Sequence, residues 1–259
     1  MGPGAAPPDQ AVVGRLRGAG CVFAEEEAAL LAVAARDAEE LSLLVDRRVA
    51  GTPLEQLVGW AEFCGLRIVV APGVFVPRRR TELVVREAVA LARRGDVVVD
   101  LCCGTGAVGA ALAAAVPGID LHAADVDPAA VRCARRNLPG VPVHEGDLFA
   151  ALPGALAGRI AVLTANVPYV PTAAVPLMPP EARDHEPRTA LDGGEDGLAF
   201  VRRVVTDAPA WLARGGAVLF ECGAGQTGAA VDVVTAAGLA ARPVIDDDLG
   251  GTVVVGRLP

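Results

Sequence analysis

The tetrapeptide Asn166-Val167-Pro168-Tyr169 places an amide, main-chain carbonyls and an aromatic ring directly after an apolar run. Such a run predicts a buried strand, and ligands in open α/β sheets bind at the carboxyl ends of the strands. The Asn166 side-chain carbonyl and the Val167 main-chain carbonyl can each accept a hydrogen bond from an NH2 group, and Tyr169 offers its ring for packing. The tetrapeptide is therefore suited to binding a planar nitrogen. A strand that ends in a proline-containing turn is also a common structural feature without a functional role.

A glycine-rich segment, residues 104–109, matches the pattern Gly-x-Gly-x-x-Gly and follows an apolar run that ends in Asp100. The pattern also occurs in dinucleotide-binding folds, so an NAD-dependent oxidoreductase is one alternative. Three residues separate Asp100 from the first glycine, whereas the pyrophosphate motif brings its glycines directly after the strand. A cationic cofactor without phosphates suits Asp100 better. S-adenosylmethionine fits this description, with its ribose diol at Asp125 and its adenine near Asp147.

The composition excludes several classes of function. The chain has 259 residues, a net charge of −8 and no lysine, which excludes lysine-dependent covalent mechanisms. An acidic chain without an arginine stripe is a poor candidate for direct nucleic-acid binding. Its six cysteines form no Cys-x-x-Cys pair, which favours structural thiols and no metal site. Neither a secretory signal nor an apolar run long enough for a membrane span is visible, so we predict a cytoplasmic protein.

The remaining pattern predicts the elements that position these residues. After a disordered lead-in, helices over residues 10–16 and 24–49 form a small helical domain that ends near residue 58. Residues 61–76 alternate and turn like a β-hairpin connector, and Thr81 is positioned to cap the next helix. Strands then alternate with helices, which predicts a doubly wound α/β domain. The seven predicted strands are residues 97–101, 119–124, 141–144, 161–165, 217–222, 239–245 and 252–256.

This organisation gives predicted domains at residues 1–58 (helical, substrate-engaging), 59–80 (connector) and 81–259 (catalytic). Residues 170–196 are rich in proline and charge and are too long for an ordinary connection, which predicts a functional loop or lid.

From about Gly51 to its end, the sequence resembles the HemK/PrmC-type protein-(glutamine-N5) methyltransferases, class I enzymes that use S-adenosylmethionine. The matching segments are Pro53-Leu54, Gly59-Trp60-Ala61-Glu62-Phe63, Pro72-Gly73-Val74-Phe75-Val76-Pro77-Arg78, Gly146-Asp147-Leu148-Phe149, Asn166-x-Pro168-Tyr169, Pro180-Glu181-x-Arg183, Glu186-Pro187, Ala190-Leu191-Asp192-Gly193-Gly194 and Asp196-Gly197-Leu198.

The resemblance implies a seven-stranded Rossmann-like sheet with an antiparallel last strand. It also implies methylation of the glutamine side chain in the Gly-Gly-Gln tripeptide of peptide-chain release factors, which the helical domain helps to engage. The implied catalytic residues are Asn166, Val167, Pro168 and Tyr169. The implied cofactor-binding residues are Asp100, Cys102, Gly104, Thr105, Gly106, Asp125, Val126, Asp147, Leu148 and Asn166. The candidates on the substrate side are Arg78, Thr81, Glu82, Glu186 and Pro187.

Three positions depart from the family pattern. Val167 stands where the family has the first proline of Asn-Pro-Pro-Tyr, and Cys102 replaces the first glycine of the loop. Arg80 stands where the family usually has an acid. These departures bear on the substrate more than on the reaction. The alternatives are a methyltransferase for another protein amide, for a small amide or amine, or for a nucleobase, and a non-catalytic protein that binds S-adenosylmethionine.

Overall fold

A computed structural model of the chain describes residues 9–259. The predicted lead-in lies outside the described residues. Four helices form the N-terminal module, and their apolar faces pack around Leu16, Leu31 and Val45. They are α1 (Gln10–Gly18), α2 (Ala24–Ala34), α3 (Ala38–Val49) and α4 (Leu54–Val58).

The prediction of one helix over residues 24–49 is wrong, because the chain breaks between α2 and α3. Ala35 is extended (φ −76°, ψ 140°), and Asp37 caps α3 by accepting a hydrogen bond from the Glu40 N–H at 2.8 Å. An aspartate at this position satisfies a free N–H of the new helix, which favours a start here over a continuous helix. The run of apolar residues conceals this break.

The hairpin connector consists of β1 (Trp60–Phe63) and β2 (Leu66–Val69), which pair antiparallel. It turns at Cys64 and Gly65, both of which have positive φ angles. Residues 74–76, which we predicted as part of the hairpin, lie outside any strand.

Helix α5 (Glu82–Leu91) follows a short 3-10 turn, Arg79–Thr81. The prediction that Thr81 caps this helix is wrong. Its side chain makes no capping bond and instead donates to Glu221 Oε2 at 2.7 Å.

The central sheet has seven strands in the described chain, as predicted, in the order β5-β4-β3-β6-β7-β9-β8. The last strand, β9, runs antiparallel to both of its neighbours, and the other adjacent pairs are parallel. The doubly wound Rossmann-like fold with its N-terminal helical region is therefore confirmed. The strands are β3 (Val97–Leu101), β4 (Asp120–Asp125), β5 (Val143–Glu145), β6 (Ile160–Ala165), β7 (Leu212–Glu221), β8 (Ala240–Asp246) and β9 (Gly251–Arg257).

Helices cover both faces of this sheet, and each face packs into its own apolar cluster. All five residues of β3 are buried, as expected of a parallel strand between two layers. The flanking helices are α5, α6 (Ala107–Ala115), α7 (Pro128–Asn137), α9 (Ala199–Trp211) and α10 (Thr227–Ala236).

The chain reverses direction across the sheet at β3, because β4 and β5 lie on one side of it and β6 on the other. Ligands of doubly wound folds bind in the crevice at such a switch point. The predicted lid continues from β6 over this crevice as short helical pieces, including α8 (Pro180–His185). The domain boundaries after residues 58 and 80 stay a prediction.

Candidate functional site

A cavity of about 410 Å³ opens at the carboxyl ends of β3, β4 and β6. Its wall includes most of the residues that the sequence predicted. The predicted residues on the wall are Arg78, Thr81, Asp100, Cys102, Gly104, Thr105, Asp125, Val126, Asp147, Leu148, Asn166, Val167, Pro168, Tyr169 and Pro187. Three predicted residues do not line it: Gly106, Glu82 and Glu186.

Asp100 is the penultimate residue of the fully buried strand β3 and is itself only 1% exposed. Its Oδ2 accepts a hydrogen bond from the Gly109 N–H at 3.0 Å, and its Oδ1 accepts one from the Thr164 hydroxyl at 2.9 Å. Burial raises the pKa of Asp100 to about 7, and these two bonds oppose that shift. A cation bound next to Asp100 would therefore favour the ionised carboxylate.

Asp125 ends β4 and is held by backbone donors. Its Oδ2 accepts from the Gly104 N–H at 2.8 Å, and its Oδ1 accepts from the Asp127 N–H at 2.9 Å. Burial raises its pKa, and these bonds lower it. Asp127 in turn caps α7, with Pro128 at the first helical position. The carboxylate is thus fixed in orientation beside an exposed side chain, Val126 (61% exposed).

The glycine loop bends closely around the end of β3. Gly106 does not line the cavity, but a Cβ there would lie 2.9 Å from Leu138 Cδ1, so this position requires glycine. Cys102 has φ +53°, a left-handed conformation that glycine would adopt without strain. The family's glycine at this position has a conformational reason, and the cysteine retains the same backbone shape.

On the far side of the loop, Asp147 and Leu148 begin the segment that follows β5. Leu148 also has a positive φ of 49° and is buried. The Asp147 carboxylate is half exposed and lies 2.6 Å from an Arg203 guanidinium nitrogen. Asp147 is therefore at the cavity mouth, with its charge already paired.

Asn166 stands immediately after β6 and carries the most informative atom of the site. Its Oδ1 is buried and has no hydrogen-bond partner among the described residues. An unpaired buried carbonyl oxygen costs about 1–3 kcal/mol, so such an atom indicates a missing donor. The next residue, Val167, is 2% exposed and lines the same cavity.

Tyr169 belongs to a polar cluster that the sequence did not reveal as a unit. Its hydroxyl donates to Glu221 Oε1 at 2.5 Å and accepts from Arg80 Nε at 2.9 Å. Arg80 Nε also lies 2.6 Å from Glu221 Oε1. With Thr81 on its second oxygen, Glu221 receives three donors while only 1% exposed.

Sequence reasoning missed Glu221, although a signal for it existed. Like Asp100 and Asp125, it is an acid at the carboxyl end of an apolar strand, in this case β7. The same rule that identified the first two acids therefore identifies the third.

The other substrate-side candidates connect segments. Glu186 is buried, accepts from the Val76 N–H at 3.0 Å and pairs with Arg78 at 2.6 Å, which joins the lid to the connector. Glu82 accepts from the Cys64 N–H at 3.1 Å, so its carboxylate is directed to the hairpin turn.

The N-terminal module reaches the lid through a second ion pair. Arg48 is 8% exposed and bonds to Glu27 at 2.6 Å within the module. Its Nη1 also lies 2.5 Å from Glu181 Oε1, at the start of α8. Ion pairs therefore connect the predicted lid both to the connector and to the helical module.

Within residues 9–259, no cluster of three or more His, Cys, Asp or Glu side chains has an arrangement suited to a metal ion. In the same residues, no helix has the length and apolar character that crossing a bilayer requires.

Comparison with known proteins identifies relatives of this chain. A family model, the methyltransferase small domain, matches residues 65–156. A release factor glutamine methyltransferase of Geobacter sulfurreducens is 41% identical over 71% of this chain and 65% of its own length. That of Moorella thermoacetica is 37% identical over 80% of this chain and 75% of its own length.

A relative with a different name is similarly close. The 4-amino-L-phenylalanine/4-methylamino-L-phenylalanine methyltransferase of Streptomyces pristinaespiralis is 38% identical over 78% of this chain and 73% of its own length. Among solved structures, a methyltransferase from Pyrococcus furiosus shares the fold, with a TM-score of 0.58 and 17% identity over 83% of this chain and 98% of that one.

Proposed function

The chain belongs to the release factor glutamine methyltransferase family, and from this premise we propose that it transfers a methyl group from S-adenosylmethionine to a planar nitrogen. The first candidate acceptor is the glutamine side chain in the Gly-Gly-Gln tripeptide of a peptide-chain release factor. The chain spans 65% of the length of the Geobacter sulfurreducens relative. An acceptor of this kind implies a cytoplasmic protein. The observation that carries the proposal is the buried, unpartnered Oδ1 of Asn166 on the cavity wall.

The cofactor side of the cavity fits S-adenosylmethionine. Asp100 and Asp125 receive their hydrogen bonds from neutral groups, so both carboxyl groups are free to pair with a cationic ligand that carries a ribose diol, and such a ligand would favour their ionised forms. The bend around Gly106 brings the loop backbone close to the end of β3. Asp100, Asp125, Val126 and the loop at Cys102–Gly104 would hold the cofactor, which supplies an electrophilic methyl group on a sulfonium.

On the acceptor side, Asn166 Oδ1 and the Val167 carbonyl would accept one hydrogen bond each from the two N–H groups of the amide. This pairing turns the nitrogen lone pair toward the methyl carbon and favours pyramidal nitrogen. The nitrogen would accept the methyl group that the cofactor supplies, with the N–C bond replacing the C–S bond, and the extra proton would leave to water afterwards. Orientation of this kind supplies several kcal/mol of such a barrier, so no strong base is required.

A second candidate acceptor is the amine of a small aromatic amino acid. The relative from Streptomyces pristinaespiralis is named for such an acceptor. Arg80, on the acceptor wall, stands where the family usually has an acid, so this wall differs from the family pattern at one charged position.

The test is mass spectrometry of a release factor incubated with the purified protein and S-adenosylmethionine. We expect one methyl group on the Gly-Gly-Gln glutamine. Asn166→Ala should reduce turnover roughly 100-fold or more and leave cofactor affinity within about threefold, because removal of one preorganised acceptor acts on the transition state. An Asn166→Ala protein with wild-type turnover would refute the assigned role of Asn166.

Cofactor binding separates the remaining alternatives. Thermal stabilisation by S-adenosylmethionine but not by NAD would exclude the oxidoreductase. Tight cofactor binding without transfer to any amide or amine would instead favour the non-catalytic binding protein.

A further inference from the structure

The Arg80 guanidinium has two edges, and only the edge at Nε is hydrogen-bonded within the described residues. Its Nε is occupied by Glu221 and Tyr169, at 2.6 and 2.9 Å. Neither Nη1 nor Nη2 has a hydrogen-bond partner within residues 9–259, and the side chain is 42% exposed on the cavity wall. Arg80 lines the cavity, and its two Nη groups form the edge whose parallel N–H donors match a carboxylate.

The buried carboxylate of Glu221 fixes the position of the Arg80 guanidinium. Glu221 takes bonds from Arg80, Thr81 and Tyr169, so the cluster is close to neutral. With an acid at position 80, the same wall would present two carboxylates and would favour hydrogen-bond donors or cations. With arginine it favours acceptors, and an anion is the strongest acceptor.

The distance from Arg80 to the nitrogen-binding residues is set by Tyr169. Arg80 contacts the hydroxyl end of this side chain, and its guanidinium carbon lies 5.9 Å from the ring centroid. The backbone end of Tyr169 belongs to the segment that carries Asn166. Arg80, Tyr169 and Asn166 line the same cavity, so a planar molecule packed on Tyr169 can face both the guanidinium and the Asn166 segment.

The second cation on the cavity wall is less available. Arg78 pairs with Glu186 at 2.6 Å, and its guanidinium lies over the Phe75 ring at 5.0 Å. Its Nη2 and its face are engaged, and its side chain is 29% exposed compared with 42% for Arg80, which leaves Arg80 as the better anion site of the two.

We propose that the outer edge of Arg80 binds a carboxylate of the methyl acceptor. The chain then accepts small molecules with an aryl amine or amide nitrogen at one end and a free carboxylate at the other. This inference rests on the proposed methyl transfer to nitrogen and names a class of acceptor for it. Asn166 and Val167 bind the nitrogen, Tyr169 packs against the ring, and Arg80 selects the anion.

The test uses two probes that differ only in the anion: 3-(4-aminophenyl)propanoate and 3-(4-aminophenyl)propanamide. Binding of each is measured with the demethylated cofactor product present, and transfer is measured with S-adenosylmethionine. We expect the acid to bind at least about tenfold more tightly than the amide and to show the higher kcat/KM, mainly through KM.

Arg80→Lys is the informative variant. The lysine ammonium can keep Glu221 paired, but it lacks the second edge, so the preference for the acid should fall to about onefold while the amide changes by less than about threefold. Arg79→Lys is the matched control, since Arg79 is exposed and does not line the cavity. It should behave like the wild type.

Equal binding of the two probes by the wild type, or an unchanged preference in Arg80→Lys, would overturn the inference. The release factor assay, run in parallel, keeps the two proposals apart. If the release factor is methylated but the acid probe is not preferred over the amide, only the proposed role of Arg80 is refuted. Tight binding of the acid probe without transfer to any acceptor removes the proposed reaction and leaves Arg80 as an anion site.

Discussion

The two halves of the cavity differ in the groups that pair with their buried acids. The cofactor half consists of Asp100, the loop 102–106 and Asp125, and its two carboxylates accept hydrogen bonds from backbone N–H groups and a hydroxyl. The acceptor half consists of residues 166–169 with Arg78 and Arg80, and each of these arginines pairs with a buried carboxylate next to the cavity wall, Glu186 or Glu221. Within residues 9–259, the acids of the cofactor half therefore have no arginine partner, whereas those next to the acceptor half do.

The halves also differ in how they are assembled. The acids of the cofactor half stand on adjacent strands, β3 and β4, and one sheet edge positions them. The acceptor half joins segments far apart in the chain, and ion pairs such as Arg80–Glu221 connect them. The acids of the first half thus favour a cationic ligand. In the second half, single substitutions can change the preferred acceptor and leave the sheet intact.

The largest effect should come from the cofactor half. Asp125→Ala removes a carboxylate that we expect to bind a ribose diol through two charge-assisted hydrogen bonds, so affinity for S-adenosylmethionine should fall roughly 100-fold. Isothermal titration calorimetry measures this change, and Asp232→Asn, on an exposed face of α10, is the matched control. An Asp125→Ala protein that binds the cofactor as the wild type does would show that the charge of this half does not select its ligand.

An intermediate effect concerns stability and pH. The pKa of Asp100 rises from 3.8 to about 7 on folding, chiefly through burial, so the folded protein holds this proton more tightly than the unfolded chain. The contribution of Asp100 to stability is therefore present at low pH and is lost as the pH rises to about 7.

Asp100→Asn removes this dependence. Without cofactor, the variant should gain roughly 1–3 kcal/mol in free energy of unfolding relative to the wild type at about pH 8, and little at about pH 4. Urea unfolding at both pH values measures the difference, and cofactor affinity of the variant should fall. A gain of equal size at both pH values would contradict a titrating, buried Asp100.

The smallest effect should come from the rim of the acceptor half. Glu181→Gln weakens the bond between α8 and Arg48 but leaves the buried Arg48–Glu27 pair intact. Because Glu181 is 49% exposed, we expect KM for the acceptor to rise about two- to fivefold with kcat and cofactor affinity unchanged. A larger loss in kcat than in KM would mean that the lid anchor acts on the reacting groups and not on acceptor binding.

The sequence predicted the cofactor half better than the acceptor half, for a physical reason. Asp100 and Asp125 follow apolar strands at short range, and parallel strands deliver their ends to one edge. The bond from Arg80 to Glu221 spans 141 residues and depends on β7 lying next to β6, which local patterns do not encode.

The errors have a similar origin. Thr81 has the residue type and position of a helix cap, but the buried Glu221 carboxylate offers its hydroxyl a partner from another strand. The break between α2 and α3 was missed because alanine and leucine continue through it, and Asp37 was the only local signal. The roles of the individual cavity residues stay predictions.

Tyr169 gives the acceptor half a spectroscopic label of its own, since the chain contains a single tyrosine. A protein with 13C in its tyrosine ring would yield one set of resonances, and all of them would originate from the wall between Asn166 and Arg80. Titration of cofactor and of acceptor could then be followed at this ring separately, without assignment of the spectrum. Movement of the helical module would leave the tyrosine resonances unchanged unless it altered the cavity.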